Sequence, residues 1–159
     1  MTVYHQKLDW PVLPLDMCHR LIEYSKTAVN LDFPNLWPNY HYYDVPLETV
    51  EWLQSNLPIE GNYNYKIQRI FNMNRIPNHI DLGRDSVANF VLSTTGPETR
   101  WYADDHKTIV DSVVFNQFEW NLLKTDSMHS VEGMTTDRVA LSVFKRISRP
   151  RQPWFVDTQ

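Results

Sequence analysis

Residues 86–126 read SVANFVLSTTGPETRWYADDHKTIVDSVVFNQFEWNLLKTD, and the fold turns on how this stretch divides. The β-branched run Ser86–Thr95 is stopped by the turn dipeptide Gly96-Pro97. Thr99–Ala103, Thr108–Phe115 and Phe118–Lys124 follow, and Asp137–Lys145 closes the series. Short strands recurring every eight to twelve residues or so build a sandwich or barrel rather than alternating strand–helix units. Upstream, Lys66–Asn74 spaces Ile67, Ile70 and Phe71 among polar residues and opens the strand-rich part.

Before residue 65 the texture is helical and proline-punctuated. Pro14-Leu15-Asp16 offers an N-cap at Asp16, followed by Met17, Cys18, Leu21 and Ile22 on one side. Phe33–Pro38 reads as an extended connection, and a second helix runs from Leu47 to Leu57, ended by Pro58. The chain is expected to be one domain (1–159): a helical part at 1–64, a β core at 65–145 and an extended tail at 146–159. That is an α+β class with a β-sandwich core, its helices packed on one sheet. The aromatic cluster Trp37, Tyr40, Tyr42 and Tyr43 either seals helices to sheet or forms a lip over a pocket.

Composition narrows the function classes. With 42% hydrophobic and 21% charged residues the chain has a globular make-up, large enough to bury roughly 70% of its unfolded surface. A net charge of −4 argues against a nucleic-acid partner, and only four Gly, with no Gly-rich phosphate motif, argues against a nucleotide-binding loop. No apolar run is long enough to span a membrane, and the first residues lack a signal-peptide pattern. The lone Cys18 rules out an internal disulfide and is expected to pack as a small hydrophobe in a reducing, cytoplasmic setting.

Chemistry concentrates at His79-Ile80-Asp81. Side chains at i and i+2 of an extended segment point the same way, so His79 and Asp81 can reach one ion while Ile80 faces the core. With six His and twelve Asp in the chain, one His-x-Asp is close to a chance event. His129, on the strand 128–131, adds a second imidazole; two His and one carboxylate are the facial ligand set of non-haem iron(II) oxygenases. Arg138 lies nine residues further on and shares a strand face with Ala140 and Ser142, opposite Val139, Leu141 and Val143. A guanidinium beside a small residue and a hydroxyl makes a carboxylate socket. The bland alternative is a salt bridge from Arg138 to Asp137 or Glu132.

Residues 67–145 therefore resemble the iron(II)/2-oxoglutarate-dependent oxygenase superfamily, with its His-x-Asp, distal His and following Arg or Lys. The approach at 122–131 looks most like the aspartyl/asparaginyl β-hydroxylase branch, which often lacks the carboxylate that Asp81 supplies here. Prolyl-hydroxylase-like members carry a Tyr where this chain has Ile70. The resemblance implies a double-stranded β-helix (a jelly-roll, cupin-like sandwich) binding Fe(II) through His79, Asp81 and His129. It implies 2-oxoglutarate anchored on Arg138 with Ser142, O₂ as oxidant, and hydroxylation of a C–H bond with release of succinate and CO₂. The carboxylate ligand Asp81 disfavours halogenation.

Asn72 and Asn89 on neighbouring strands are candidate cosubstrate contacts, or buried amides satisfying backbone groups. Arg100 and Trp101 are candidates for a substrate wall, or a core Trp beside an exposed Arg. Arg84 is placed near the mouth, where it would meet an anionic substrate. His5, His19, His41 and His106 read as structural or surface residues, and Asp104-Asp105 as a solvated loop. The expected partner is a peptidyl or small amino-acid-like substrate; the oligomeric state is not set by the sequence. The competing readings are a cupin-like metalloprotein that does not use 2-oxoglutarate and a non-enzymatic β-sandwich binding module.

Overall fold

The computed structural model describes residues 1–28, 39–93 and 96–147. The connection 33–38 with Trp37, the end of the expected strand at Thr94 and Thr95, and the tail 148–159 lie outside them. In chain order the elements are β1 (His5–Lys7), α1 (Leu15–Thr27), β2 (Tyr40–Asp44), α2 (Leu47–Asn56), β3 (Asn64–Ile70), β4 (Arg75–His79), β5 (Ser86–Val91), β6 (Glu98–Tyr102), β7 (Ile109–Val114), β8 (Trp120–Lys124), β9 (His129–Glu132) and β10 (Arg138–Phe144). Two antiparallel sheets result: a six-stranded one ordered β1-β8-β5-β10-β3-β2 and a four-stranded one ordered β4-β9-β6-β7. From β3 to β10 the chain shuttles between the sheets, which makes a double-stranded β-helix. β1 and β2 lengthen the larger sheet at its two edges.

The helices lie on the outer face of the larger sheet. Met17, Cys18 and Leu21 of α1 and Leu53 of α2 share one apolar cluster with Ile67, Phe90, Trp120, Val139, Leu141 and Val143. α1 starts two residues earlier than expected: Pro14 is its N-cap, without a side-chain bond, and Asp16 sits in the first turn, 2.6 Å from Arg20. Proline's fixed φ leads the chain into the helix without a side-chain cap. α2 is preceded by Pro46 and closes at Leu57, in line with the sequence. Cys18 is buried and free, and burial pushes its thiol pKa up to about 11. No described helix is long and apolar enough to cross a membrane.

The N-terminal part is less helical than its prolines suggest, because 5–7 and 40–44 are strands. Tyr43 faces the helices as part of the outer cluster, whereas Tyr40 and Tyr42 turn between the sheets. The expected strand over 66–74 ends at Ile70. Asn72 then takes a left-handed φ of 52°, which asparagine tolerates, and reverses the chain into β4.

The interior between the sheets is divided. On one side Trp101 and Phe115 pack against Val87, Val91, Leu123 and Phe144; on the other Ile70, Ile76, Val131 and Met134 form a smaller cluster.

Candidate metal centre

A bulge aims the first histidine. Along β9, Val131 and His129 are two residues apart and face the interior; their partners on β4, Ile76 and His79, are three apart. One extra residue at 77–78 flips the parity, so His79 joins Ile76 on the inner side. Pro77 cannot donate a ladder bond and fits such a break. Asp81 follows just beyond the strand, its amide donating to the Thr125 carbonyl at 2.9 Å. Ile80 is half-exposed and outside the core clusters, contrary to the expected core-facing position.

The structure brings His79, Asp81 and His129 together, all three buried, with one potential ligand atom of each within 4.8 Å of the others. The Nδ1 atoms of His79 and His129 lie 2.7 Å and 2.8 Å from the carbonyls of Pro77 and Ser127. A carbonyl only accepts, so each Nδ1 carries a hydrogen, and in the neutral tautomer that follows Nε2 holds the lone pair. Those two Nε2 atoms face Asp81 Oδ1 at 3.4 Å and 3.9 Å. Such pre-set tautomers are what metal-ligating imidazoles require. Burial first, and the neighbouring His79 second, pull the His129 pKa down to about 4, which keeps that donor unprotonated.

Arg84 is not at the mouth but behind Asp81. Its Nε and Nη2 donate to Asp81 Oδ2 at 2.7 Å and 2.5 Å, and its Cζ lies 4.8 Å from the centroid of the Phe144 ring. Burial alone would raise the Asp81 pKa; the Arg84 guanidinium, above all, holds it well below the carboxylate range. Burial also works against the Arg84 charge, and the Asp81 carboxylate more than restores it.

Arg138 opens β10 on the inner face and is only 7% exposed. Both carboxylates that could have neutralised it are engaged elsewhere: Asp137 with Arg69 at 2.5 Å and Glu132 with Arg75 at 3.0 Å. Among the described residues no carboxylate forms an ion pair with Arg138. Burial draws its guanidinium pKa down, countered by the nearby Tyr40 and Tyr42. Those tyrosines start a hydrogen-bonded chain across the sheet. Tyr40 Oη meets Tyr42 Oη at 3.1 Å and donates to Gln68 Oε1 at 2.9 Å. Gln68 Nε2 donates to Ser142 Oγ at 2.7 Å, and Ser142 Oγ donates to Asn89 Oδ1 at 2.6 Å. Beyond Asn89, its cross-strand neighbour Asn121 leaves a buried Nδ2 with no partner among the described residues.

Ser142 and Asn89 thus belong to the same wall as Arg138, while Asn72 is exposed on the β3–β4 turn, its carbonyl accepting from Asn39 Nδ2. Trp101 is fully buried, donating to the Lys124 carbonyl at 2.8 Å and stacked on His5, so it is core rather than a substrate wall. Arg100, on the opposite face of β6, pairs with Glu98 at 2.7 Å on the outside of the smaller sheet. Tyr40, Tyr42 and Gln68 were not singled out as site residues. The signal for Gln68 was its parity: on β3 it shares a face with Ile70.

Neither a family model nor a curated protein matches this sequence. Solved structures do. HygX from Streptomyces hygroscopicus, with nickel and 2-oxoglutarate bound, superposes with a TM-score of 0.63 at 12% identity, over 89% of this chain and 82% of that one. The fold is one that 2-oxoglutarate-binding proteins use. The same HygX with nickel, 2-oxoglutarate and hygromycin B gives 0.57 at 10% identity, over the same shares of the two chains. An oxidoreductase of the 2OG-Fe(II) oxygenase family from Burkholderia pseudomallei gives 0.55 at 12% identity, covering 80% of this chain and 76% of that one. At such identities the likeness concerns the fold; the chemistry rests on the side chains.

Proposed function

We propose that this chain is an Fe(II)- and 2-oxoglutarate-dependent oxygenase that hydroxylates a C–H bond of a peptidyl or small amino-acid-like substrate. The observation that carries the proposal is Arg138: a buried guanidinium with no carboxylate partner among the described residues, in the same interior as a converging two-His, one-Asp set. A buried charge left unpaired costs several kcal/mol, so an anion belongs beside it. A dicarboxylate that chelates a metal at one end and meets a guanidinium at the other satisfies both features. The 2-oxoglutarate and nickel in the HygX structure support this reading.

His79, Asp81 and His129 would hold the ion through Nε2, Oδ1 and Nε2. When bound, iron and 2-oxoglutarate supply the oxidising chemistry, in which O₂ is consumed and succinate and CO₂ are released. The chain's own residues position and insulate. Arg138 anchors the distal carboxylate, with the hydroxyls of Tyr40 and Tyr42 beside it. The chain of donors through Gln68, Ser142 and Asn89 fixes the wall behind them. Trp101, Phe115 and Leu123 close the neighbouring part of the interior to water.

The test is succinate formation from 2-oxoglutarate under Fe(II), ascorbate and O₂, with and without candidate peptides and amino acids. Calorimetric 2-oxoglutarate binding to the Co(II)-loaded protein runs in parallel. Turnover and binding in the wild type, with turnover lost in His79→Ala and binding lost in Arg138→Ala, support the proposal. Metal binding without any 2-oxoglutarate affinity points instead to a cupin-like metalloprotein.

A further inference from the structure

The clamp on Asp81 sets this site apart from a bare facial triad. Both Arg84 donors that reach Asp81 land on the same oxygen, Oδ2. The other oxygen, Oδ1, is the one turned toward the two imidazole Nε2 atoms. Arg84 has little freedom to let go: it is 8% exposed and its guanidinium lies over Phe144, itself packed against the Trp101 cluster. The turn that brings it back passes through Gly83 at φ +83°, a conformation costly for other residues, and the Gly83 carbonyl accepts the Ile147 amide at 2.7 Å.

We infer that Arg84 is a positioning residue of the metal centre, holding Oδ2 of Asp81 so that Oδ1 alone is offered to the ion. The inference rests on the metal-site reading above and extends it to the residue that sets the ligand's denticity. A carboxylate free at both oxygens can chelate, and a second oxygen on the ion takes a position that cosubstrate or O₂ needs. Outer groups that orient a ligand commonly tune metal affinity by roughly 10–100-fold.

The rival account is that Arg84 only neutralises a buried acid and props up the loop. A double-mutant cycle on Co(II) affinity separates the two, using wild type, Arg84→Met, Arg84→Lys and Asp81→Ala, plus each Arg84 variant combined with Asp81→Ala. Wild-type binding that fails in His79→Ala establishes the site; no wild-type binding overturns the metal reading and this inference with it. Given binding, Arg84→Met is expected to weaken Co(II) roughly 10–100-fold, and Arg84→Lys, which keeps one charged donor, less. In the Asp81→Ala background both substitutions should leave the affinity where Asp81→Ala put it. An equal loss in that background, or no loss in the wild-type background, overturns the inference while leaving the metal site standing. If Arg84→Met does not fold, as judged by near-ultraviolet circular dichroism, the Arg84→Lys arm of the cycle decides.

Discussion

The two faces of β10 are equally buried and built to opposite ends. Toward the helices, Val139, Leu141 and Val143 are apolar and join the main core. Toward the smaller sheet, Arg138, Ala140 and Ser142 carry a charge, a gap and a hydroxyl. Burial does not tell a core from a site; what the buried groups lack does. Among the described residues, the outer face is filled by apolar neighbours, whereas the inner face holds a cation without a carboxylate and, across the sheet, an amide nitrogen without a partner. One strand therefore carries fold stability on one side and binding capacity on the other.

Substitution at Arg138 should break this contrast most visibly. Arg138→Met keeps an unbranched apolar stem and removes the charge. It is expected to lower 2-oxoglutarate affinity by about 30-fold or more, as losing one side of a buried charged contact does. Co(II) affinity should stay nearly unchanged. The ligand-free protein should become more stable, by about 1 kcal/mol or more, because an uncompensated buried charge has been removed. Calorimetry and urea denaturation read the two signs separately. Unchanged 2-oxoglutarate affinity would show that the anchor lies elsewhere.

Leu141→Ala is the mirror experiment on the outer face. Leu141 is fully buried in the helix-covered core, so its truncation should cost about 2–5 kcal/mol in urea denaturation. The folded fraction should bind Co(II) and 2-oxoglutarate as the wild type does. A loss of affinity with stability preserved would mean that the two faces are not separable.

How much of this contrast the sequence displays depends on parity. The alternation in residues 138–144 assigns the two faces of β10 correctly, since no bulge interrupts that strand. The His-x-Asp pair and His129 are legible as residue types, and their convergence is what the structure adds. Their aim is not legible, because the extra residue at 77–78 inverts the face on which His79 stands, and only Pro77 hints at it. Arg84 was beyond reach: in a loop, spacing does not say which way an i+3 side chain turns, and here Gly83 turns it back onto Asp81. For Trp101 and Arg100 the structure takes the alternative of a core Trp beside an outward Arg, and the signal for it was present. Adjacent residues on a strand face opposite ways, so both could not line one pocket. Tyr40 and Tyr42 were hidden by an aromatic-rich edge strand that reads as generic packing.

A pH series sharpens the comparison, because the inner side titrates and the outer face does not. His129 has its pKa pulled from the ordinary 6.5 to about 4, by burial and then by His79. Between those values the unfolded chain binds a proton that the folded chain refuses, so stability of the metal-free protein rises with pH through the window. Acidification from pH 6.5 to 4 is expected to remove roughly 1–3 kcal/mol. The Asp81 pKa is lowered, so the stability it contributes is lost only below the ordinary carboxylate value of 3.8, under this window. His129→Gln should flatten the slope in urea denaturation between pH 4 and 6.5. An undiminished slope in that variant would assign the proton uptake to another group.

The smallest expected effect tests whether the polar wall stabilises as well as binds. Ser142 takes a hydrogen bond from Gln68 Nε2 and gives one to Asn89 Oδ1, with no exposed surface at all. Ser142→Ala removes one atom of bulk and leaves a buried donor and a buried acceptor facing each other's absence. Each unmet buried group costs about 1–3 kcal/mol, reduced where a water can enter. A net loss of about 1 kcal/mol is expected in urea denaturation. Gln68→Leu combined with Ser142→Ala should then cost less than the two single losses added, because removing both partners leaves fewer polar groups stranded. Strict additivity would mean that the chain from Tyr40 to Asn89 is a row of separate contacts. A coupled result would make the inner face, like the outer one, a packed unit, held by hydrogen bonds where Leu141 and its neighbours use apolar area.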